Sequence, residues 1–120
     1  METVTGTLKR LNNSIKIGVL IIVNTSIKQL ETLLKILEED QLITTVKTYK
    51  TSKAIKIAHR VQRVTTSSSG TKASQLPDKA KELLPNGKGS LILSTNKGLL
   101  THKKAVKQQA GGKIIGIVNQ

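Results

Sequence analysis

Apolar residues along this chain change spacing several times, and the changes mark its elements. Val4, Leu8, Leu11 and Ile15 recur at three- and four-residue intervals, which predicts a short amphipathic helix over residues 4–14 ending at Asn12-Asn13. Residues 17–23 (IGVLIIV) form a continuous β-branched run too short for its own helix, the pattern of a buried strand. Ser26, with Gln29 three residues later, fits a capping box. Behind it Ile27, Leu30, Leu33, Leu34 and Leu37 make one apolar stripe, predicting a helix to about Asp40. Residues 42–49 are Thr-rich and loosely alternating, which suits a strand. Residues 54–64 read as another strand, with Ile55, Ile57, His59, Val61 and Arg63 on one face and Lys56, Arg60 and Gln62 on the other.

Residues 65–71 (TTSSSGT) contain no apolar side chain and read as a linker. Beyond it Pro77 opens a short helix over 77–84, with Pro85-Asn86-Gly87 as its stop. Residues 90–94 predict a strand and Asn96-Lys97-Gly98 a turn. Thr101 then caps a helix over about 102–109, closed by Gly111-Gly112, and residues 113–118 form the last strand. The expected fold class is α+β in two small lobes: α-β-α-β-β over residues 1–64, a linker at 65–72, and a mostly β lobe with short helices over 73–120.

Charge changes this picture more than size does. Twenty Lys and Arg oppose seven Asp and Glu, a formal net charge of +13 on 120 residues with a pI near 10.3. Residues 24–42 are the exception, with two lysines against four carboxylates. A basic chain of this density with apolar periodicity is expected to meet a polyanion rather than only to use its lysines for solubility. No cysteine is present, so disulfides and thiolate chemistry are excluded. No apolar run approaches the ~18 residues of a membrane span, and no membrane partner is expected.

Catalysis finds no support. His59 and His102 stand far apart in sequence, and Glu38-Glu39-Asp40 reads as a solvated helix end. Gly87-Lys88-Gly89-Ser90 lacks the spacing of a nucleotide-binding loop, and Gly111-Gly112 is too short for a dinucleotide fingerprint. The expectation is no enzyme, no cofactor, no metal and no small-molecule substrate. Residues 94–98 are different in kind: Ser94, Thr95, Asn96, Lys97 and Gly98 bring two hydroxyls, an amide, an ammonium and an open backbone together. Such groups bond base edges, ribose hydroxyls and phosphate. Their local composition fits a plain polar β-turn equally well.

Residues 91–98 with Thr101, Ala105 and Gly111-Gly112 resemble the C-terminal signature of the small-ribosomal-subunit protein S-eight family: a strand, a Ser-Thr-x-x-Gly loop, a later Thr, then Gly-Gly before a last strand. Residues 8–13 (LKRLNN) resemble that family's first helix, residues 35–43 (KILEEDQLI) the end of its second, and Arg63-Val64 a basic-hydrophobic step before its interdomain loop. The resemblance runs in register over about residues 7–118. It implies a structural, rRNA-binding protein that engages the central domain of small-subunit rRNA and supports assembly and translation, beside neighbouring small-subunit proteins. It nominates Ser94, Thr95, Lys97, Gly98 and Thr101 as rRNA contacts, with Asn96 where the family often has Ser. Arg63, from the basic step, and Arg60, on the polar face of the 54–64 strand, complete the candidate set.

The chain departs from the family pattern at the linker, where an Arg and an aromatic are missing, at Lys113 in place of Glu, and at Asn119 in place of a terminal aromatic. Such drift points to an organellar ribosome, mitochondrial before plastid, ahead of a bacterial cytoplasm. The competing reading is a free-standing basic RNA-binding or adaptor module that offers the acidic Leu-rich helix to a protein.

Overall fold

The computed structural model describes residues 3–17, 20–58, 60–84 and 87–120. It contains two antiparallel sheets with helices packed against and between them. Helix α1 (Val4–Ile17) leads into β1 (Ile21–Asn24), α2 (Lys28–Glu39), β2 (Ile43–Thr48) and β3 (Ser52–Ile57). These three strands form the first sheet in the order β1-β3-β2. The second half holds β4 (Arg63–Thr71), a 3-10 turn (Ala73–Gln75), α3 (Leu76–Leu83), β5 (Gly89–Thr95), β6 (Gly98–Thr101), α4 (His102–Lys107) and β7 (Gly112–Asn119). Its sheet is ordered β4-β7-β5-β6. The α+β class and the α-β-α-β-β order of the first half agree with the sequence reading.

Helix α2 forms for the reason its stripe predicts. Leu30, Leu33, Leu34 and Leu37 are all buried, together with Ile36, facing the first sheet and β6. An adaptor surface on this helix is therefore not available, because its apolar face is the core. That core includes Leu8 and Leu11 of α1 and also Ile92, Leu99 and Val118 of the second sheet. A smaller cluster around Leu76, Leu91, Leu93 and Ile114 underlies α3 and α4.

Several boundaries differ from expectation. Helix α1 runs past Asn12-Asn13 because Asn12 reaches out of it, its Oδ1 accepting the Val64 backbone N–H at 3.0 Å. The run at 17–23 supplies only the short β1, while residues 18 and 19 lie outside the described residues. No capping box forms: Ser26 donates its N–H and its hydroxyl to Asn24 Oδ1, at 2.9 and 2.6 Å, and α2 begins at Lys28 without a side-chain cap. The strand expected over 54–64 is two strands in different sheets, since the chain turns where Ala58 N–H meets the Leu42 carbonyl and Val61 N–H the Ala58 carbonyl. His59, expected on the face of Ile55 and Ile57, lies outside the described residues, as do Pro85 and Asn86 of the expected helix stop.

The largest correction is the linker. Residues 65–71 are most of β4, paired with β7 from Arg63↔Asn119 to Thr71↔Gly112, with an irregularity between Thr66 and Ser69. An edge strand needs only backbone partners, so its hydroxyl-rich side chains can stay largely in solvent and leave no hydrophobic signature. The expected turn at Asn96-Lys97-Gly98 runs straight into strand β6, which also takes in Thr101, and α4 stops at Lys107, short of residue 109.

Candidate functional site

Strands β5 and β6 form a tight hairpin in register from Ile92↔Thr101 to Thr95↔Gly98, with Asn96-Lys97 at the tip. Asn96 and Lys97 keep negative φ while Gly98 takes φ +100, the pattern of a type I turn closed by a glycine bulge. Only glycine adopts that conformation without strain. Thr95 holds the turn: its hydroxyl donates to the Gly98 carbonyl at 2.8 Å and accepts the Lys97 N–H at 3.1 Å. One acceptor lone pair is left for anything else. The Ser94 hydroxyl is exposed and has no partner among the described residues. Lys97 is exposed, its Nζ resting 3.4 Å from the Gln108 carbonyl, a long bond that a phosphate can displace.

Behind the hairpin, β7 aligns Gly112 with Thr95 and Lys113 with Ser94. A Cβ on Gly112 would stand 2.3 Å from the Ser94 carbonyl oxygen, so the pairing that presents Ser94 requires glycine there. Lys113, directly opposite Ser94, adds a cation on the same face of the sheet. The start of α2 approaches from the side. Lys28, Gln29 and Thr32 share a cleft of about 380 Å³ with Ser94, Thr95, Lys97 and Leu99. The sequence reading set the whole of residues 24–42 aside as acidic, and so missed that the two ends of α2 differ. Lys28, Gln29 and Thr32 of its first turns line the cleft, Glu31 among them pairs with Lys35, and the other three carboxylates lie at the far end.

That far end joins the two halves of the molecule. Ser90 Oγ donates to Asp40 Oδ2 at 2.7 Å, Lys104 of α4 pairs with Glu39, and Thr45 donates to Glu38 at 3.3 Å. Glu38 and Glu39 are exposed, as expected of a solvated helix end, while Glu39 and the part-buried Asp40 also form a polar clamp on the second half. His102 sits beside it, half-buried, its Nδ1 accepting the Leu91 N–H at 3.1 Å. Burial and the neighbouring Lys103 push its pKa below the ordinary value, against a smaller opposing pull from Asp40.

The other candidates do not gather at the hairpin. Thr101 is 1% exposed, and its hydroxyl neither caps α4 nor finds a partner among the described residues. A side chain enclosed by its own fold is not placed to meet RNA, and the sequence could not show this because Thr is compatible with either setting. Arg60 donates to the carbonyls of Asp40, at 3.1 Å, and Gln41, closing the C-terminal end of α2 where a cation is favoured. Arg63 faces Asn119, seven residues along β7 from Gly112 and hence about 23 Å from the hairpin end. It lines a separate groove of about 470 Å³ with Lys9, Asn12, Asn13, Thr65 and Thr66. Among the described residues no group of His, Asp and Glu is placed to hold a metal ion.

A family model described as Ribosomal protein S8 matches residues 2–119. Among curated proteins, the small ribosomal subunit protein uS8 of Metallosphaera sedula is 46% identical over 44 residues. That stretch is 36% of this chain and 33% of the relative, so the match spans a third of the relative's length.

Proposed function

The chain belongs to the ribosomal protein S8 family, and from that premise we propose that it is a structural constituent of the small ribosomal subunit that binds small-subunit rRNA through the β5–β6 hairpin. The family is one of structural ribosomal proteins, not of enzymes. The observation that carries the reading is the hairpin tip, where an unengaged Ser94 hydroxyl, Asn96 and the Lys97 ammonium stand exposed beside Gly98 on a chain of net charge +13. Ser94 and Asn96 read base edges or ribose hydroxyls, Lys97 neutralises phosphate, and Thr95 holds the turn that displays them. The RNA is the central domain of small-subunit rRNA, and neighbouring small-subunit proteins complete the setting. Arg63 and Lys9 form a second, phosphate-directed contact at the opposite end of the sheet. Departures from the family pattern, including Lys113 and Asn119, favour an organellar ribosome, mitochondrial before plastid.

The test compares cognate rRNA with a scrambled RNA of equal length. Ser94→Ala is expected to cost about 1–3 kcal/mol on the cognate RNA and little on the scrambled one. Lys97→Ala is expected to weaken both together and to reduce the steepness of the salt dependence by about one unit. A cognate-to-scrambled ratio unchanged in Ser94→Ala would remove the hairpin as reader.

A further inference from the structure

The strongest unexplained side chain lies on α2, across the cleft from the hairpin. From its spacing, Gln29 belongs to a capping box with Ser26, in which its amide would reach back to the Ser26 N–H. The structure gives that N–H to Asn24 instead, and the Gln29 amide has no partner among the described residues. Gln29 is exposed and lines the cleft opposite Ser94, whose hydroxyl is equally unengaged. Leu99, 9% exposed, is the apolar side chain lining the cleft, and the Thr32 hydroxyl turns back to the Lys28 carbonyl at 3.0 Å. Lys28 and Lys97 stand at the two sides of the opening with no ion pair to a carboxylate among the described residues.

We infer that this cleft receives one unstacked nucleotide of the bound RNA, with Gln29 reading the edge of its base across from Ser94. The inference rests on the RNA-binding reading above and adds a reader from the other half of the molecule. An amide offers both donor and acceptor and can bond a base edge from two sides. Leu99 offers the base an apolar contact, and the flanking ammonium groups take its phosphates. A volume of about 380 Å³ lies at the small end of the range for ligand pockets, which suits one nucleotide and not a duplex. Leu99 is packed into the core with the α2 leucines, so the helix and hairpin walls are held at a fixed separation before RNA arrives.

Gln29→Leu keeps size and helix propensity while removing the amide. With the full chain and a transcribed central-domain rRNA fragment as probe, this variant should lose about tenfold in cognate affinity, equivalent to about 1.4 kcal/mol. Its affinity for scrambled RNA and its melting temperature should not change. A photo-crosslinking residue substituted at position 29 should crosslink to a single unpaired nucleotide. Ser94→Ala, measured alongside, separates the two claims. Selectivity lost in Ser94→Ala but kept in Gln29→Leu would overturn the cleft and leave the hairpin standing. A wild-type chain with no preference for the cognate fragment would overturn the RNA-binding reading itself. Crosslinks spread over paired nucleotides would show Gln29 resting on a duplex, against the inference.

Discussion

Two residues that look polar and available in sequence have opposite situations in the fold. Thr101 carries a buried hydroxyl with no partner among the described residues. Thr101→Val replaces it with a methyl of similar shape and removes the cost of that unpaired group. We expect unchanged RNA affinity and a stability unchanged or raised by about 1 kcal/mol, read from a denaturant titration. A loss of RNA affinity in the folded variant would return Thr101 to the interface. His102, in contrast, is fully used, but only when neutral. Its Nδ1 accepts the Leu91 N–H, and its pKa is held below the ordinary value of about 6.5. On acidification the unfolded chain takes up this proton first, so the contribution of His102 is complete above about pH 6.5 and is lost as pH falls toward the lowered folded value. Between about pH 7 and 5, wild-type stability should fall more steeply than that of His102→Leu. Equal slopes would mean that the Leu91 bond survives protonation.

At the scale of elements, α2 presents three different environments to its surroundings. Its first turns face the cleft, its stripe fills the core, and its last residues hold the second half of the chain. The clamp's members are unequal. Lys104 and Glu39 are exposed by 41% and 56%, so Glu39→Gln should cost under about 1 kcal/mol. Asp40 instead accepts from Ser90, which is only 1% exposed, and Asp40→Ala leaves that hydroxyl without a partner. A loss of about 1–3 kcal/mol is expected, measured by chemical denaturation. An equal, small effect from both substitutions would show that Ser90 finds another acceptor.

Across the whole molecule, the boundary expected between two lobes runs through shared structure. Leu8 and Leu11 pack in one cluster with Ile92, Leu99 and Val118, and β4 completes the second sheet against β7. A fragment of residues 73–120 would expose those apolar side chains and leave one edge of β7 unpaired. It should show no cooperative thermal transition, while the full chain melts in a single one, both followed by circular dichroism. A fragment that melts cooperatively on its own would establish an independent second lobe. The same arrangement separates the hairpin from Arg63, so the two proposed contacts lie at opposite ends of one sheet.

How much of this was legible depended on whether the signal was local. Periodicity marked α1 and α2, because an amphipathic helix repeats its apolar positions within a few residues. Composition points to a polyanion partner, and the Ser94–Gly98 segment stands out because its functional groups are contiguous in sequence. The strand at 63–71 was invisible because edge pairing uses backbone groups common to every residue. Burial of Thr101, the closing of α2 by Arg60 and the Asp40–Ser90 bond each join positions distant in sequence or hide one behind others. Gln29 makes the same point most sharply: its spacing from Ser26 predicted a local bond. Only the fold, by giving that N–H to Asn24 and bringing β6 against α2, set Gln29 in a cleft facing Ser94.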